Sequence, residues 1–523
     1  MASLADARPR AQISCGALFF VALLVPLLGS GCGLLNWVTN GFKVGPEYVE
    51  PETSTAPRWI DYDDPRLKSE EADLGRWWTV LEDPVLDMLV QSVSEQNLTL
   101  KAAAERIAGS RARMNVAVGN LFPQEQYAFG GYSYNHLSNE TETAIPGSHS
   151  FSQWDLGGAL AWELDFWGRF RRAIESADAE LEASVADYDD LLVILLAEVA
   201  TNYILYRTYQ ERLVFVRANV EIQQKSYTLT QDKFRAGAVT ERDVQMSKQI
   251  LDQTRAKIPR LEAGLREASN ALCILQGVPP RDLSDMLGKE GKIPGVKPEV
   301  AVGIPADLVR RRPDVRRAER LVAAQSARIG VAESDFYPRF SILGTIGVQA
   351  ETFSGMFSGG PVTGSIGPSF QWNILHYGRI LNRVRSEEAG FRELALAYQE
   401  AVLRAGKEAE DSITGLFKAQ EAAAALAESV TAAARIVQIT TDQYQQGAID
   451  FFPLYYFESV LADQEDQQAA ARGDIAVNLI RIYRSLGGGW QGRTEGEAQG
   501  GTSSEFHGVE SAEPAAGPTE GPR

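Results

Sequence analysis

The segment FRAGA at residues 234–238 recurs 210 positions later as YQQGA at residues 444–448. The segment WGR at residues 167–169 recurs with the same offset as YGR at residues 377–379. Two internal repeats of one unit are therefore predicted. In each repeat, alternating apolar residues precede a very long helical pattern, which turns at the shared Gly-Ala dipeptide and then returns.

The helical patterns are too long for a compact domain. Residues 169–236 contain neither Gly nor Pro, so they can form one helix of roughly 100 Å at 1.5 Å per residue. A second pattern runs from Arg379 to about Gln446, and both helices return as hairpins, over residues 169–276 and 379–486. An apolar seam at three- and four-residue steps is typical of helices that pack side by side, and it comprises Val185, Tyr188, Leu192, Leu195, Val199 and Tyr203. Such helices need neighbours along their length.

Each long helix follows a strand pattern. Even-numbered positions in residues 154–166 are apolar or Gly, and this period of two gives a strand one apolar and one polar face. With a companion near residues 126–134, two strands are predicted within residues 124–166, and the same pattern predicts two more within residues 339–376. The length and the terminal aromatic residues favour membrane-spanning strands over a surface sheet packed on a core.

Four strands cannot enclose a lumen alone, and an open sheet edge is not tolerated in lipid. Three chains would supply twelve strands, an even number within the range of such barrels. We therefore predict a mainly α-helical fold with a membrane β-barrel: a long helical barrel plus four strands per chain, in a homotrimer with a twelve-stranded barrel. Asp155, Glu163 and Asp165 lie at the polar positions and are expected to face the lumen, where they would favour cations.

The first 31 residues are typical of a secretory signal peptide. Arg8 and Arg10 precede an apolar run at residues 16–28, and small residues lead to Cys32. The run is too short to cross a bilayer, which takes ~20 residues. The segment resembles the bacterial lipobox, so Cys32 is predicted to carry a covalent lipid, and no other cofactor is expected.

Composition excludes several classes of function. The net charge of −18 disfavours nucleic acid, whose binding surfaces need clustered Lys and Arg. Cys273 is the one cysteine that neither leaves with the signal nor is a proposed lipid site, so we expect no disulfide and a buried Cys273. The histidines are too scattered for a metal site, and they are His136, His149, His376 and His507. We find no nucleophile with a base, no phosphate loop and no paired carboxylates in a cleft, so we predict no enzyme.

Helical pattern begins near Asp83 and continues to about Asn120, which opens a first repeat at residues 83–276. The second repeat spans residues 305–486. Residues 494–523 are rich in Gly, Glu, Ser and Pro without apolar periodicity, and this composition predicts a disordered acidic tail.

Four short motifs occur in order along the chain, and together with the repeats they carry a resemblance to a known family. They are VGPEY at 44–48, WW at 77–78 with DPVL at 83–86, RRPDV at 311–315, and LGGGW at 486–490. The chain is similar, over about residues 33–493, to the outer-membrane factors of tripartite efflux systems, the TolC/NodT-like outer membrane efflux lipoproteins. The resemblance implies a homotrimer whose barrel spans the outer membrane and whose helices form a periplasmic tunnel.

The resemblance also implies an equatorial region around the tunnel. It would draw on residues 32–82, which otherwise form an extended lipid-anchored tether, on a connector at residues 277–304, and on residues 487–493. The RRPDV motif would begin the following helix, and we expect its charged residues on a solvated face.

The functional end implied by the resemblance lies at the helix turns. Gly237, Ala238, Gly447 and Ala448 would contact a periplasmic adaptor (membrane fusion) protein. The adaptor would in turn join the channel to an inner-membrane pump of the resistance-nodulation-division type.

The resemblance places Phe452, Tyr455 and Tyr456 at the constriction of the periplasmic mouth. Many members have Asp where this chain has Tyr456, and Arg where it has Ser459, so the chain departs from the pattern that provides a ring of carboxylates and its ionic latch, and a gate closed by aromatic rings is the hypothesis here. The aromatic residues either close the gate by packing of rings or pack between helices, and both alternatives stay open at this stage.

The predicted function is that of an outer-membrane channel subunit, which passively conducts small molecules from the pump and adaptor to the cell exterior. The alternative is a lipid-anchored structural or adhesive helical rod without a pore. A rod would leave the alternating segments facing water, whereas a channel requires them to face lipid.

Overall fold

The computed structural model describes residues 37–68, 73–136, 150–288, 291–302 and 310–492. The predicted signal peptide, the lipid site Cys32 and the acidic tail lie outside the described residues. The predicted loop between the first two strands also falls outside them for the most part.

Within the described ranges, long helices dominate and two of them have equal length. The helices are α1 (Pro84–Gln96), α2 (Leu98–Gly119), α3 (Arg169–Arg235), α4 (Glu241–Arg255), α5 (Lys257–Leu275), α6 (Ser284–Leu287), α7 (Pro313–Ser334), α8 (Arg379–Gln445) and α9 (Phe451–Ser485). The strands are β1 (Leu67–Lys68), β2 (Glu125–His136), β3 (Ser150–Leu164), β4 (Val300–Ala301), β5 (Arg339–Ala350) and β6 (Val362–Gln371). Helices α3 and α8 each contain 67 residues, and their bounds differ by the offset of the sequence repeat.

The four long strands form one antiparallel sheet in the order β2-β3-β5-β6. The two predicted strand pairs are therefore neighbours, joined where Leu160 pairs with Gly344. Because residues paired across an antiparallel sheet share a face, the even-numbered residues of all four strands lie together and form what we call the apolar face. Rings lie near both of its ends, with Tyr132, Tyr134 and Trp154 at one end and Trp162, Phe340 and Phe370 at the other.

The helical pattern from Asp83 to Asn120 was predicted to be continuous, and this is wrong. Asn97 has ψ 125° and separates α1 from α2. Its side-chain oxygen accepts a hydrogen bond from the Leu100 N–H at 2.9 Å, and its amide donates to the Leu275 carbonyl at 2.8 Å. Asn97 therefore caps α2 and ties it to the end of α5.

Two other elements also differ from the prediction: the returning arm of the first hairpin and the last strand. The returning arm of the first hairpin consists of α4 and α5, because Pro259 lacks the N–H that would bond to the carbonyl of Arg255. Strand β6 ends at Gln371, short of the predicted limit at residue 376. Just beyond it the Trp372 indole donates to the Phe336 carbonyl at 2.9 Å, which holds the chain against the turn after α7.

The predicted N-terminal tether is extended, but it is packed on the helices. The Val44 N–H donates to the Trp167 carbonyl at 3.0 Å. The Tyr48 hydroxyl donates to Glu319 of α7 at 2.6 Å. The segment thus lies along the body from the base of the sheet toward the middle of the molecule.

The largest apolar core lies around the middle of the molecule, where α1, α3, α5, α8 and α9 meet. Cys273 is fully buried there, as predicted. The prediction of a solvated face for the RRPDV motif is wrong for Arg312, which is buried. Its guanidinium pairs with Asp314 and Glu408, each at 2.8 Å, and donates to the Ser485 carbonyl at 2.7 Å, so it joins α7, α8 and the end of α9.

Candidate functional site at the helix turns

The two helix turns have the same backbone geometry. In each turn the glycine, Gly237 or Gly447, has φ +74°, a left-handed value that favours glycine. The next residue, Ala238 or Ala448, donates its N–H to the carbonyl five residues earlier, at 2.8 and 2.9 Å. All four predicted contact residues are exposed, so they are accessible to a partner.

Beneath the second turn lies a set of buried side chains that we call the turn cluster: Tyr444, Phe451 and Leu454. The rings of Tyr444 and Phe451 are 5.4 Å apart between centroids. Lys233 of α3 places its ammonium 4.1 Å from the centre of the Tyr444 ring and also donates to the Tyr444 carbonyl. The cluster therefore fastens the start of α9 to the end of α3.

The structure separates the three predicted gate residues. Phe452 and Tyr456 are 57% and 52% exposed, and their four-residue spacing puts them on one side of α9. Tyr455 is half-buried and packs beside the turn cluster. Both alternatives for the aromatic segment are thus represented: Phe451 packs between helices, whereas Phe452 and Tyr456 stay accessible as candidate gate residues.

A row of polar contacts joins α3 to α9, and we call it the polar seam. Its members lie in three groups about two helical turns apart, at residues 226, 219 and 211–212 of α3 and at residues 458, 465–466 and 472 of α9. The pairs are Ser226 with Glu458 at 2.5 Å, Asn219 with Glu465 at 2.5 Å, Arg212 with Asp466 at 2.8 Å, and Arg472 with Glu211.

Glu458 is the member of the seam nearest to the candidate gate, and it was not among the residues predicted from the sequence. It is 2% exposed. Burial raises the pKa of Glu458 to about 7, and the hydrogen bond from Ser226 lowers it in part. The available signal was a single acidic residue inside the aromatic segment FFPLYYFESV at residues 451–460.

Two of the predicted lumen residues lie on β3. Asp155 pairs with Gly131 on one side and with Gln349 on the other, on the face opposite the apolar one. Glu163 lies near the end of the strand, 3.5 Å from the guanidinium of Arg169. Asp155 is thus the predicted acid that lies well inside the strand.

Asp165 is not a residue of the strand, because β3 ends at Leu164. Its carboxylate accepts hydrogen bonds from the Phe170 N–H at 2.9 Å and from the Arg171 side chain at 2.8 Å. The acid therefore caps the first turn of α3. The prediction of a lumen-facing Asp165 is corrected to a structural role.

Comparison with known proteins identifies the family. The model of the family "Outer membrane efflux protein" matches residues 89–278 and 304–488. The chain belongs to the outer membrane efflux protein family. The resemblance drawn from the sequence motifs is confirmed, and so are efflux as the activity and the outer membrane as the location. The family is one of transport proteins and not of enzymes.

Individual relatives cover nearly the whole chain. Nodulation protein T of Rhizobium leguminosarum bv. viciae is 28% identical over 90% of this chain and 93% of its own length. Outer membrane protein OprJ of Pseudomonas aeruginosa is 27% identical over 91% of this chain and 99% of its own length. The solved structure of the outer-membrane channel OprN superposes with a TM-score of 0.80 at 32% identity, over 86% of this chain and 99% of that one.

Proposed function

We propose that this outer membrane efflux protein is one of three identical subunits of a channel. The channel receives small molecules from a periplasmic adaptor and an inner-membrane pump of the resistance-nodulation-division type, and it releases them outside the cell. The observation that carries the proposal is the apolar face of the β2-β3-β5-β6 sheet, which the described residues leave uncovered.

The apolar face has the composition of a lipid-facing surface. Ile346, Ile366 and Phe370 are 69%, 78% and 71% exposed, although large exposed apolar surfaces are rare in soluble monomers. Aromatic rings border the face at both ends, as in the girdles of membrane barrels. Lipid is therefore the environment that this face fits.

The flanks of the chain support closure by further copies. Strands β2 and β6 each have one unpaired edge within the described residues. Helix α8 contains an apolar stretch that is only 17% buried, whereas the comparable stretch of α3 is 67% buried. Since both flanks need a partner, copies of the chain arranged head to tail would cover them, and three copies would close a twelve-stranded barrel and a helical tunnel.

In this assembly, the polar face of the sheet lines the lumen, and Asp155 from each subunit favours cations there. The turns at Gly237 and Gly447 contact the adaptor, and Phe452 and Tyr456 narrow the mouth. Cys32 carries the lipid anchor. Residues 83–276 and 305–486 act as the two repeats, and the equatorial region draws on the connector between them, residues 277–304, together with residues 32–82 and 487–493.

A pair of adjacent substitutions tests the lipid-facing assignment. Ile346 lies on the apolar face and Thr345 on the opposite face of β5. Ile346→Arg is expected to cost about 2–4 kcal/mol of membrane insertion and to deplete the protein from the outer membrane, whereas Thr345→Arg is expected to insert normally. The measurement is the amount of folded oligomer recovered from outer membranes.

The anchor must be removed in the same experiment, because a lipid could retain a rod at the membrane. In a Cys32→Ser background, a barrel stays membrane-bound until detergent is added. Release of this variant by salt or carbonate washing, or equal tolerance of arginine at both positions of β5, would contradict the proposed channel.

A further inference from the structure

Glu458 occupies an environment that suits a neutral carboxyl. The Ser226 hydroxyl donates to its Oε1 at 2.5 Å. Among the described residues, its Oε2 has no hydrogen-bond partner, and neither has the side-chain amide of Gln223, about one helical turn before Ser226. A carboxylate here would be a buried charge with a single neutral donor, which is far costlier than the protonated acid.

Among the described residues, the helices around Glu458 supply no countercharge to its carboxyl. Burial and the Ser226 hydrogen bond are the influences that set the proton affinity of this carboxyl. In the part of the chain that the structure describes, the charged side chains of the neighbouring turns contact other partners or, as for Lys248, are exposed. On α3, Glu221 pairs with Lys225, and on α8, Arg435 donates to Gln438. On α4, Asp243 binds Thr240, Arg255 donates to Gln224, and Lys248 is exposed. On α9, Asp463 pairs with Lys257, and Glu465 binds Asn219.

The same helix carries the candidate gate. Phe452 and Tyr456 precede Glu458 by six and two residues, and all three belong to α9. A helix moves as a stiff rod over such a short distance. A change in the contact between α9 and α3 at Glu458 would therefore displace both rings.

We propose that Glu458 is a positioning residue of the gate: its neutral carboxyl holds α9 against α3 and keeps Phe452 and Tyr456 in the closed arrangement, and its ionisation loosens this contact. The inference rests on the proposed function, because a gate requires a channel. Closure of the gate would then depend on two contacts: the packing of rings between subunits, and a proton-controlled contact between α9 and α3 within each subunit.

The direction of the pH dependence follows from the environment. Burial raises the pKa of Glu458 from its ordinary value of 4.5 to about 7 in the closed seam. Where water reaches the carboxyl in a loosened seam, the pKa returns toward its ordinary value. The proton therefore favours the closed arrangement. This stabilisation of the closed arrangement is complete below about pH 4.5 and is lost as the pH rises to about 7. Between these values, the opening equilibrium constant changes by up to about tenfold per pH unit for each carboxyl.

The test is the conductance of the full-length protein in planar bilayers between about pH 5 and pH 8. Wild-type conductance is expected to rise with pH. Glu458→Gln, an uncharged side chain of the same shape, should stay low at every pH. Ser226→Ala removes the group that lowers the pKa of Glu458, so the rise should move to higher pH.

Glu465→Gln is the matched control, because it changes the next carboxyl along the polar seam and lies further from the rings. It should keep the wild-type profile. A wild-type profile in Glu458→Gln would overturn the inference, and so would a Glu458→Gln channel that is open at every pH.

A second readout does not depend on conduction. Spin labels at Lys225→Cys and Gln467→Cys, two exposed positions on α3 and α9, report the spacing of the seam, and the buried Cys273 stays unlabelled. The label distances should change with pH in the wild type and stay fixed in Glu458→Gln. If the label distance changes with pH but the protein conducts at no pH, the proposed channel is contradicted, while the proton-dependent contact at Glu458 is supported. If the wild-type channel conducts and the distances stay fixed, the proposed role of Glu458 is overturned.

Discussion

The two helix turns share one backbone but differ in their side chains. Below the second turn, Tyr444 is 1% exposed and packs on Phe451, whereas Phe234 at the same place in the first turn is 45% exposed. The first returning helix, α4, opens with Glu241-Arg242-Asp243, and the second, α9, opens with aromatic residues.

This difference shows how two copies of one fold can keep the same backbone and differ in their contacts. The turn itself depends on a glycine and on backbone hydrogen bonds, which both copies retain. The residues after the turn decide what each hairpin contacts. The polar start of α4 fits an arm in contact with water, and the apolar start of α9 fits an arm held against its neighbour, where a small displacement can move exposed rings.

The largest expected effect comes from removing the ring under the second turn. Tyr444→Ala should destabilise the start of α9 by about 3–5 kcal/mol, because a buried ring is replaced by a cavity. Phe234→Ala, its counterpart in the first turn, should cost about 1 kcal/mol or less. Hydrogen exchange of the amides in residues 446–456 and 236–246 measures both. Equal losses at the two turns would contradict the asymmetry.

The next effect concerns the candidate gate residues, Phe452 and Tyr456. Phe452→Ala and Tyr456→Ala should each raise the open probability by up to roughly tenfold, since ring pairs contribute about 0.5–1.5 kcal/mol. Single-channel recording measures this. Arg242→Ala is the control, because Arg242 is the counterpart of Phe452 in α4 and its side chain is 72% exposed. Unchanged conductance in both aromatic variants would show that ring packing does not close the mouth.

Much of this architecture could be predicted because it depends on local sequence. The absence of Gly and Pro predicted the bounds of the first long helix to within one residue: residues 169–236 were predicted, and the helix spans Arg169–Arg235. The period of two located the strand pairs, since each strand carries apolar residues on one face and polar residues on the other. These signals do not require knowledge of distant contacts.

The missed features depend on contacts between distant segments. Asn97 breaks a helical pattern by binding the Leu275 carbonyl, and Arg312 is buried because Glu408 and the end of α9 surround it. Asp165 continues the alternation of β3, but the start of α3 captures its carboxylate. Glu458 likewise looks ordinary on α9 until Ser226 is placed opposite it.

The smallest effect sharpens the comparison at the helix starts. The Asp243 carboxylate accepts hydrogen bonds from the N–H and the hydroxyl of Thr240, at 3.0 and 2.8 Å, whereas Asp450 at the start of α9 makes no such side-chain cap. Asp243→Ala should therefore cost about 1 kcal/mol, and Asp450→Ala should stay within about 0.5 kcal/mol. Hydrogen exchange in the first turns of α4 and α9 compares the two variants.

The stability that Asp243→Ala removes from α4 should also depend on pH. It should increase as the pH rises, whereas the stabilising effect of Glu458 decreases as the pH rises. Burial acts to raise the pKa of Asp243, but the Thr240 hydrogen bonds and the nearby Arg242 outweigh it, so the pKa lies below its ordinary value of 3.8. The cap is therefore at full strength above that value and is lost as the pH falls through the lowered pKa. The Asp243→Ala chain and the wild type should converge in acid, because protonation removes the cap from the wild type. If the stability difference between the wild type and Asp243→Ala stays undiminished in acid, packing and not the ionised cap stabilises α4. The starts of α4 and α9 would then differ in composition but not in how they are capped.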